Sequence, residues 1–205
     1  MRDPQLPEPL VRAVDAEGRL PAALEALGPV TGRDVAVLDA TDGPGPRRLL
    51  ALGAWVRTAS AGALGGLPDA SADVLVAWRT GFFPADAGWH DDLAQAGRVL
   101  RAAGRLLVVK DYGRDEVTPL FGDEVRAREL VGYSHPKGPF LGSGFRVRVL
   151  HCWWRWETQE EAATELDAWF GEAGRAAAQG MRRPRLSYKV AVYHADASQL
   201  AAMAA

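Results

Sequence analysis

The chain has a single cysteine, Cys152, in 205 residues. One cysteine excludes an internal disulfide and any zinc site built on paired cysteines. It also suits a reducing compartment, so a cytoplasmic location is expected. Charge of one sign is not in excess: 24 Lys and Arg stand against 26 Asp and Glu, a net charge of −2. Nothing electrostatic therefore points to nucleic acid, and the short basic cluster Arg182-Arg183-Pro184-Arg185 reads as a solvated strand entry. No apolar run reaches membrane-spanning length, and the proline-rich residues 1–9 carry no apolar signal core. There is no G-x-S-x-G and no P-loop, so nucleophilic hydrolysis and phosphoryl transfer lack support. His151 and Cys152 are neighbours on an expected strand and point to opposite faces, so they cannot share a metal. No metal is expected.

What the chain does have is alternation of strand and helix. Val35–Ala40 is nearly all apolar, as a strand covered on both faces requires. A short helix over Arg47–Leu52 follows, then a strand over Ala54–Ser60. Asp73–Trp78 is a third strand and Arg105–Lys110 a fourth. Between them, Leu93, Ala96 and Leu100 fall at helical spacing in Asp91–Arg101, which Gly104 is expected to stop. This order predicts a parallel sheet with crossover helices. Before it, Leu10–Val14 is read as a short helix, and Ala22–Leu27 as another with Pro21 at its start.

The last third differs. Phe145–Trp156 and Leu186–His194 are long strands flanking a helix over Glu160–Gly174, with Thr158 as its expected cap. This predicts an antiparallel addition to the parallel sheet. Trp153, Trp154 and Trp156 are expected to pack on Trp169 and Phe170. The whole is read as one domain over 1–205. Residues 1–30 form an extension with helices, and 195–205 a flexible tail.

Three ordered segments carry a resemblance. Leu38-Asp39-Ala40-Thr41-Asp42-Gly43-Pro44-Gly45 resembles the first motif of class I S-adenosylmethionine (SAM) methyltransferases, LD-x-G-x-G-P-G. Leu67–Val76 resembles their LP-F-x-D-x-S-F-D-V-V segment, and Arg98–Val109 their RVLRPGGRLLVV segment. The resemblance, to the type 11-like branch, spans roughly 20–195. It implies an α/β fold: a three-layer, Rossmann-like sheet, mostly parallel, with an antiparallel C-terminal strand. It also implies a SAM site at Asp39, Thr41, Asp42, Gly43, Gly45, Ser60 and Trp78, with Trp78 beside the methyl-transfer centre.

The departures from the pattern are as informative. Thr41 stands where the family has glycine, and a β-branched residue does not easily take a positive φ. No Asp or Glu occurs between Asp42 and Asp69, so the acid that holds the ribose diol in the family is missing. Ser60 can accept one weaker hydrogen bond instead. Losing a charged acceptor costs about 1.5–3 kcal/mol. About twenty residues separate Gly45 from Leu67, where the family places two strands and a full helix. The fold is therefore expected to be one strand–helix unit short.

Tyr112 and Asp111 stand where a general base belongs, after the fourth strand; the alternative is an ion pair of Lys110 with Asp111 or another acid at the sheet rim. His135, in a glycine-rich loop, is the other candidate acid or base. Trp78 is either a partner for a sulfonium or a lid on the core edge. Two readings of function lead, beside a third in which the glycine loop serves some other nucleotide or metabolite. In the first, the protein has an eroded SAM site, binds SAM weakly or not at all, and serves in binding or assembly. The second is an active SAM-dependent methyltransferase of a small molecule. Loss of an outer strand leaves Ala54–Ser60 as a sheet edge, so a homodimer or a heteromeric protein partner is expected.

Overall fold

The fold was described from a computed structural model covering residues 18–39, 43–60, 62–84 and 86–204. The expected helix over Leu10–Val14, along with Thr41 and Asp42, lies outside the described residues. The elements are α1 (Arg19–Leu27), β1 (Asp34–Leu38), α2 (Pro44–Ala51), β2 (Trp55–Ala59), β3 (Ala72–Trp78), α3 (Trp89–Val99) and β4 (Leu100–Asp111). They continue as α4 (Glu124–Tyr133), α5 (Pro139–Gly142), β5 (Arg146–Arg155), α6 (Gln159–Gly180), β6 (Arg185–Asp196) and α7 (Ala197–Ala204). Among the described residues, six strands form one sheet in the order β2-β1-β3-β4-β6-β5. β1 to β4 run parallel, while β6 is antiparallel to both β4 and β5.

Side-chain alternation along the parallel strands divides the core into two layers. Val35, Val37, Val74, Val76, Leu107 and Val109 face α1, α2 and α6 through Leu20, Leu24, Leu49 and Leu166. Ala36, Leu38, Leu75, Ala77, Leu106 and Val108 face α3 and α7 through Leu93, Ala96, Leu200 and Met203. The α/β, three-layer, mostly parallel architecture expected from the sequence is thus present. So is the shortfall of one unit. Between β2 and β3 the described residues include a single 3-10 turn, Leu64–Gly66. β2 pairs with β1 and, among the described residues, with no other strand.

Several expectations need correction. Residues 100–104 are strand rather than the end of a helix. Leu100 pairs with Ala72, and the register then shifts before Val74 meets Arg105. Gly104 is buried in that irregularity, and a Cβ there would lie 3.0 Å from the Asp73 carbonyl. The helix expected to stop at Gly174 runs to Gly180. It breaks at Gly171, whose φ of 55° a side chain would strain. Its cap is as expected, with Thr158 Oγ1 accepting from Glu161 N at 3.1 Å. Residues 195–204 carry regular structure: Ala195 and Asp196 complete β6, and α7 buries Leu200 and Met203 against α3. Trp154 packs on Phe170 and Trp169, with ring centroids 6.1 and 6.4 Å away. Trp153 instead lies under the Arg185 guanidinium at 4.1 Å. Among the described residues, no helix is long and apolar enough to cross a membrane.

Candidate functional site

In a parallel α/β sheet, ligands bind outside the carboxyl ends of the strands. Here that end is formed by the residues after β1, β2, β3 and β4. Asp39 follows β1 directly, with its backbone tied to β2 by Asp39 N donating to Ala59 O at 3.2 Å. Its carboxylate accepts from Gly45 N at 3.1 Å. The acid ending the strand thus closes on the first turn of α2. Trp78, at the end of β3, is 5% exposed and lies across the same turn, and the Arg48 guanidinium sits 5.8 Å from its ring.

The glycines have a measurable reason to be there. Gly43 has φ −66°, which any residue adopts, so its requirement is spatial. A Cβ on Gly43 would meet the Asp39 carboxylate at 2.4 Å, and one on Gly45 would meet Trp78 Cγ at 2.7 Å. Both side-chain positions are filled by the protein itself. Gly45→Ala is accordingly expected to cost the ligand-free protein about 1–3 kcal/mol, because Trp78 is wedged into the core and must move. Chemical denaturation of the two proteins without any ligand measures this. Unchanged stability would show that the glycine is not needed for internal packing.

The other expected residues are more dispersed. Ser60 follows β2 and is exposed, and its carbonyl accepts from Ala63 N at 3.0 Å. Tyr112 follows β4 and packs against the core layer of α3 and α7, opposite to Trp78. Its amide donates to Lys189 O at 3.0 Å, and the Arg114 guanidinium lies 5.7 Å from its ring. His135 is exposed in the turn after α4, where its Nδ1 accepts from Lys137 N at 3.1 Å. The structure therefore brings together Asp39, Gly43, Gly45 and Trp78. Ser60, Tyr112 and His135 make their contacts elsewhere.

Beside this cluster lies a charged group that the sequence did not reveal. Arg79 Nη2 is 2.9 Å from Asp111 Oδ1, and both side chains are 16% exposed. The Tyr188 hydroxyl accepts from Arg79 and donates to Asp111. Burial pushes the tyrosine hydroxyl well above its ordinary pKa, so it stays protonated and is no base. Burial also disfavours the Arg79 charge, but Asp111 and Tyr188 outweigh this and raise its pKa.

The expected Lys110–Asp111 rim pair is not what forms. Neighbours on a strand face opposite ways, so Asp111 joins Arg79 on one face and Lys110 enters the core on the other. Lys110 is fully buried. Its Nζ donates to Gly81 O at 2.8 Å and lies 3.5 Å from the Phe83 ring centroid. Burial pushes this amine down to about 7, against the pull of Asp111, Asp86 and Asp92. The segment it holds is strained. Arg79, Gly81 and Phe82 all have positive φ, at 55°, 61° and 48°, and for the two non-glycine residues this is unfavourable. Among the described residues, no group of three His, Cys, Asp or Glu could hold a metal ion.

No family model matches the chain, and no curated protein matches it in sequence. Solved structures do match in fold. A candidate type II methyltransferase from Anaeromyxobacter dehalogenans superposes with a TM-score of 0.54 at 19% identity, covering 87% of this chain and 95% of that one. A candidate methyltransferase from Bacillus halodurans C-125 gives 0.50 at 14% identity, covering 86% and 98%. At these identities the likeness is one of fold: the chain is similar to methyltransferases in the arrangement of its sheet and helices.

Proposed function

We propose that this is a methyltransferase-fold protein that binds SAM weakly or not at all and acts as a binding or assembly module. The observation that carries the reading is the closure of the glycine turn on its own strand. The Gly45 amide is spent on the Asp39 carboxylate, and the space beside both glycines is taken by Asp39 and Trp78. Internal packing thus accounts for these glycines without a ligand. Two further features support the reading. β2 ends at Ala59 and is followed by Ser60, without an acid for a ribose diol. Among the described residues, no strand–helix unit separates β2 from β3 to wall an adenine. The residues present therefore do not fit a tightly held SAM, and no methyl-transfer step is assigned to them.

Calorimetric titration with SAM and with S-adenosylhomocysteine tests the reading. The expected result is no binding tighter than about 1 mM, and no measurable rise in Tm at about 0.1 mM cofactor. Micromolar binding would overturn it. It would favour the second reading, an active methyltransferase of a small molecule. One observation supports that alternative: the strained Arg79–Phe82 segment at the carboxyl end of β3, since such strain collects at functional sites.

A further inference from the structure

The missing strand–helix unit exposes both an edge and a face of β2. Trp55 N donates to Arg33 O, and Ala59 O accepts from Asp39 N. Backbone direction alternates along a strand, so Trp55, Arg57 and Ala59 bond toward β1 while Val56 turns its N–H and C=O outward. The five residues Trp55–Ala59 contain no proline, and their pairing with β1 runs without a break in register. Proline and a β-bulge, two of the devices that usually blunt an edge, are thus missing from β2. Arg57 is the one charge on the strand.

The side chains follow the same alternation. Val56 packs beneath α2. Trp55 and Arg57 share the other face and are both exposed, Trp55 at 66%. Among the described residues, two of the three exposed large apolar side chains, Leu50 and Trp55, belong to α2 and β2.

We infer that two copies of the chain pair antiparallel through β2, with Val56 opposite Val56 across the two-fold axis. This deepens the assembly reading above, and rests on it, by naming the partner. The register is selected by chemistry. With Val56 on the axis, the outward N–H and C=O groups of the two valines bond to each other. Trp55 of each copy then stands directly opposite Arg57 of the other. Opposed residues of an antiparallel pair lie on the same face with Cβ atoms about 4.5–5.5 Å apart, close enough for each guanidinium to cover an indole. Shifting the axis to Arg57 would set the two guanidinium groups against each other. The surface is therefore complementary to itself, as a two-fold interface must be. The product is a continuous sheet through both subunits.

Sedimentation equilibrium of the full chain, combined with hydrogen exchange at the Val56 amide, tests the inference. Wild type is expected to be a dimer whose Val56 protection rises with protein concentration. Val56→Pro removes the outward N–H without touching the β1 ladder, and is expected to give a monomer. Arg57→Glu, an exposed change that leaves the fold intact, breaks both tryptophan contacts and should weaken dimerisation about tenfold. A monomer at all concentrations overturns the inference. So does a dimer indifferent to both substitutions, which would use another face. Val56 protection independent of concentration also overturns it, by assigning the edge to another segment of the same chain. SAM titration separates this failure from that of the parent reading. A dimer that binds SAM tightly retains the interface and loses the eroded site, whereas a monomer that ignores SAM does the reverse.

Discussion

Arg79→Ala is expected to lower the unfolding free energy by about 3–5 kcal/mol, the usual cost of removing one partner from a buried ion pair. The pair's own attraction is not the source of this cost. With the guanidinium gone, the Asp111 carboxylate, only 16% exposed in the intact pair, keeps the Tyr188 hydroxyl as its remaining donor at the end of β4. Asp111→Ala should cost a comparable amount by stranding Arg79. The two losses should not add: removing both charges leaves no orphan, so the double variant is expected to be more stable than the sum of the singles predicts. Urea denaturation of the four proteins measures the coupling. A loss below about 1 kcal/mol in each single variant would mean that water reaches the group freely, as at a surface ion pair. The result also bears on function. Arg79, Asp111 and Tyr188 join the ends of β3, β4 and β6 with their polar groups turned on one another, which suits a brace better than a substrate-binding surface.

Lys110→Met is expected to change how stability depends on pH. The folded amine is pushed down to about 7 by burial, from an ordinary value of 10.5. Between these values the unfolded chain binds a proton that the folded chain does not. Stability then rises with pH. The destabilisation from charging Lys110 is complete below pH 7, shrinks as pH rises from 7, and is gone above 10.5. Across that window the contribution amounts to about 3–5 kcal/mol. Methionine fills similar space without a charge. The stability of wild type relative to the variant should therefore climb by this amount between pH 6 and 10.5. Guanidinium denaturation at a series of pH values gives the difference directly. A constant difference would mean that the Gly81 carbonyl and the Phe83 ring, 2.8 and 3.5 Å from Nζ, hold the charged form as well as water does.

Much of the fold could be read from the sequence because its signals are local. The runs Val35–Leu38 and Leu106–Val109 are apolar on both faces, as central parallel strands must be. The distance from Gly45 to Leu67 is too short for two strands and a helix, and the sheet does lack that unit. The ends of elements were harder to read. Gly104 looks like a helix stop, yet the chain is drawn into the sheet earlier, where Leu100 finds Ala72. That choice is made by a neighbouring strand and leaves no mark in the local sequence. The site shows the same division. Asp39, Gly43, Gly45 and Trp78 come together because they lie on adjacent strand ends in one motif order. Arg79, Asp111 and Tyr188 come from the loop after β3, from β4 and from β6, 32 and 77 residues apart along the chain. Their meeting depends on β6 lying next to β4. Lys110 closes an apolar run and reads as a rim residue. Only the loop Arg79–Phe83, folding back over it, places it inside.

The position of β6 has a consequence for how the molecule assembles. β5 hydrogen-bonds to β6, and the sheet order places β6 between β5 and β4. As residues emerge in sequence, β1 to β4 can zip together in turn, each beside a strand already made. β5 cannot follow them. It must wait, with Leu150, Cys152 and Trp154 uncovered, while the 22 residues of α6 are added. When residues 185–196 arrive they complete two ladders at once, seven pairings with β4 and ten with β5. Contacts so distant along the chain are the slow ones to form. The late closure of this half of the sheet is therefore the expected rate-limiting event in folding, and the waiting strand is where a newly made chain is most exposed to aggregation.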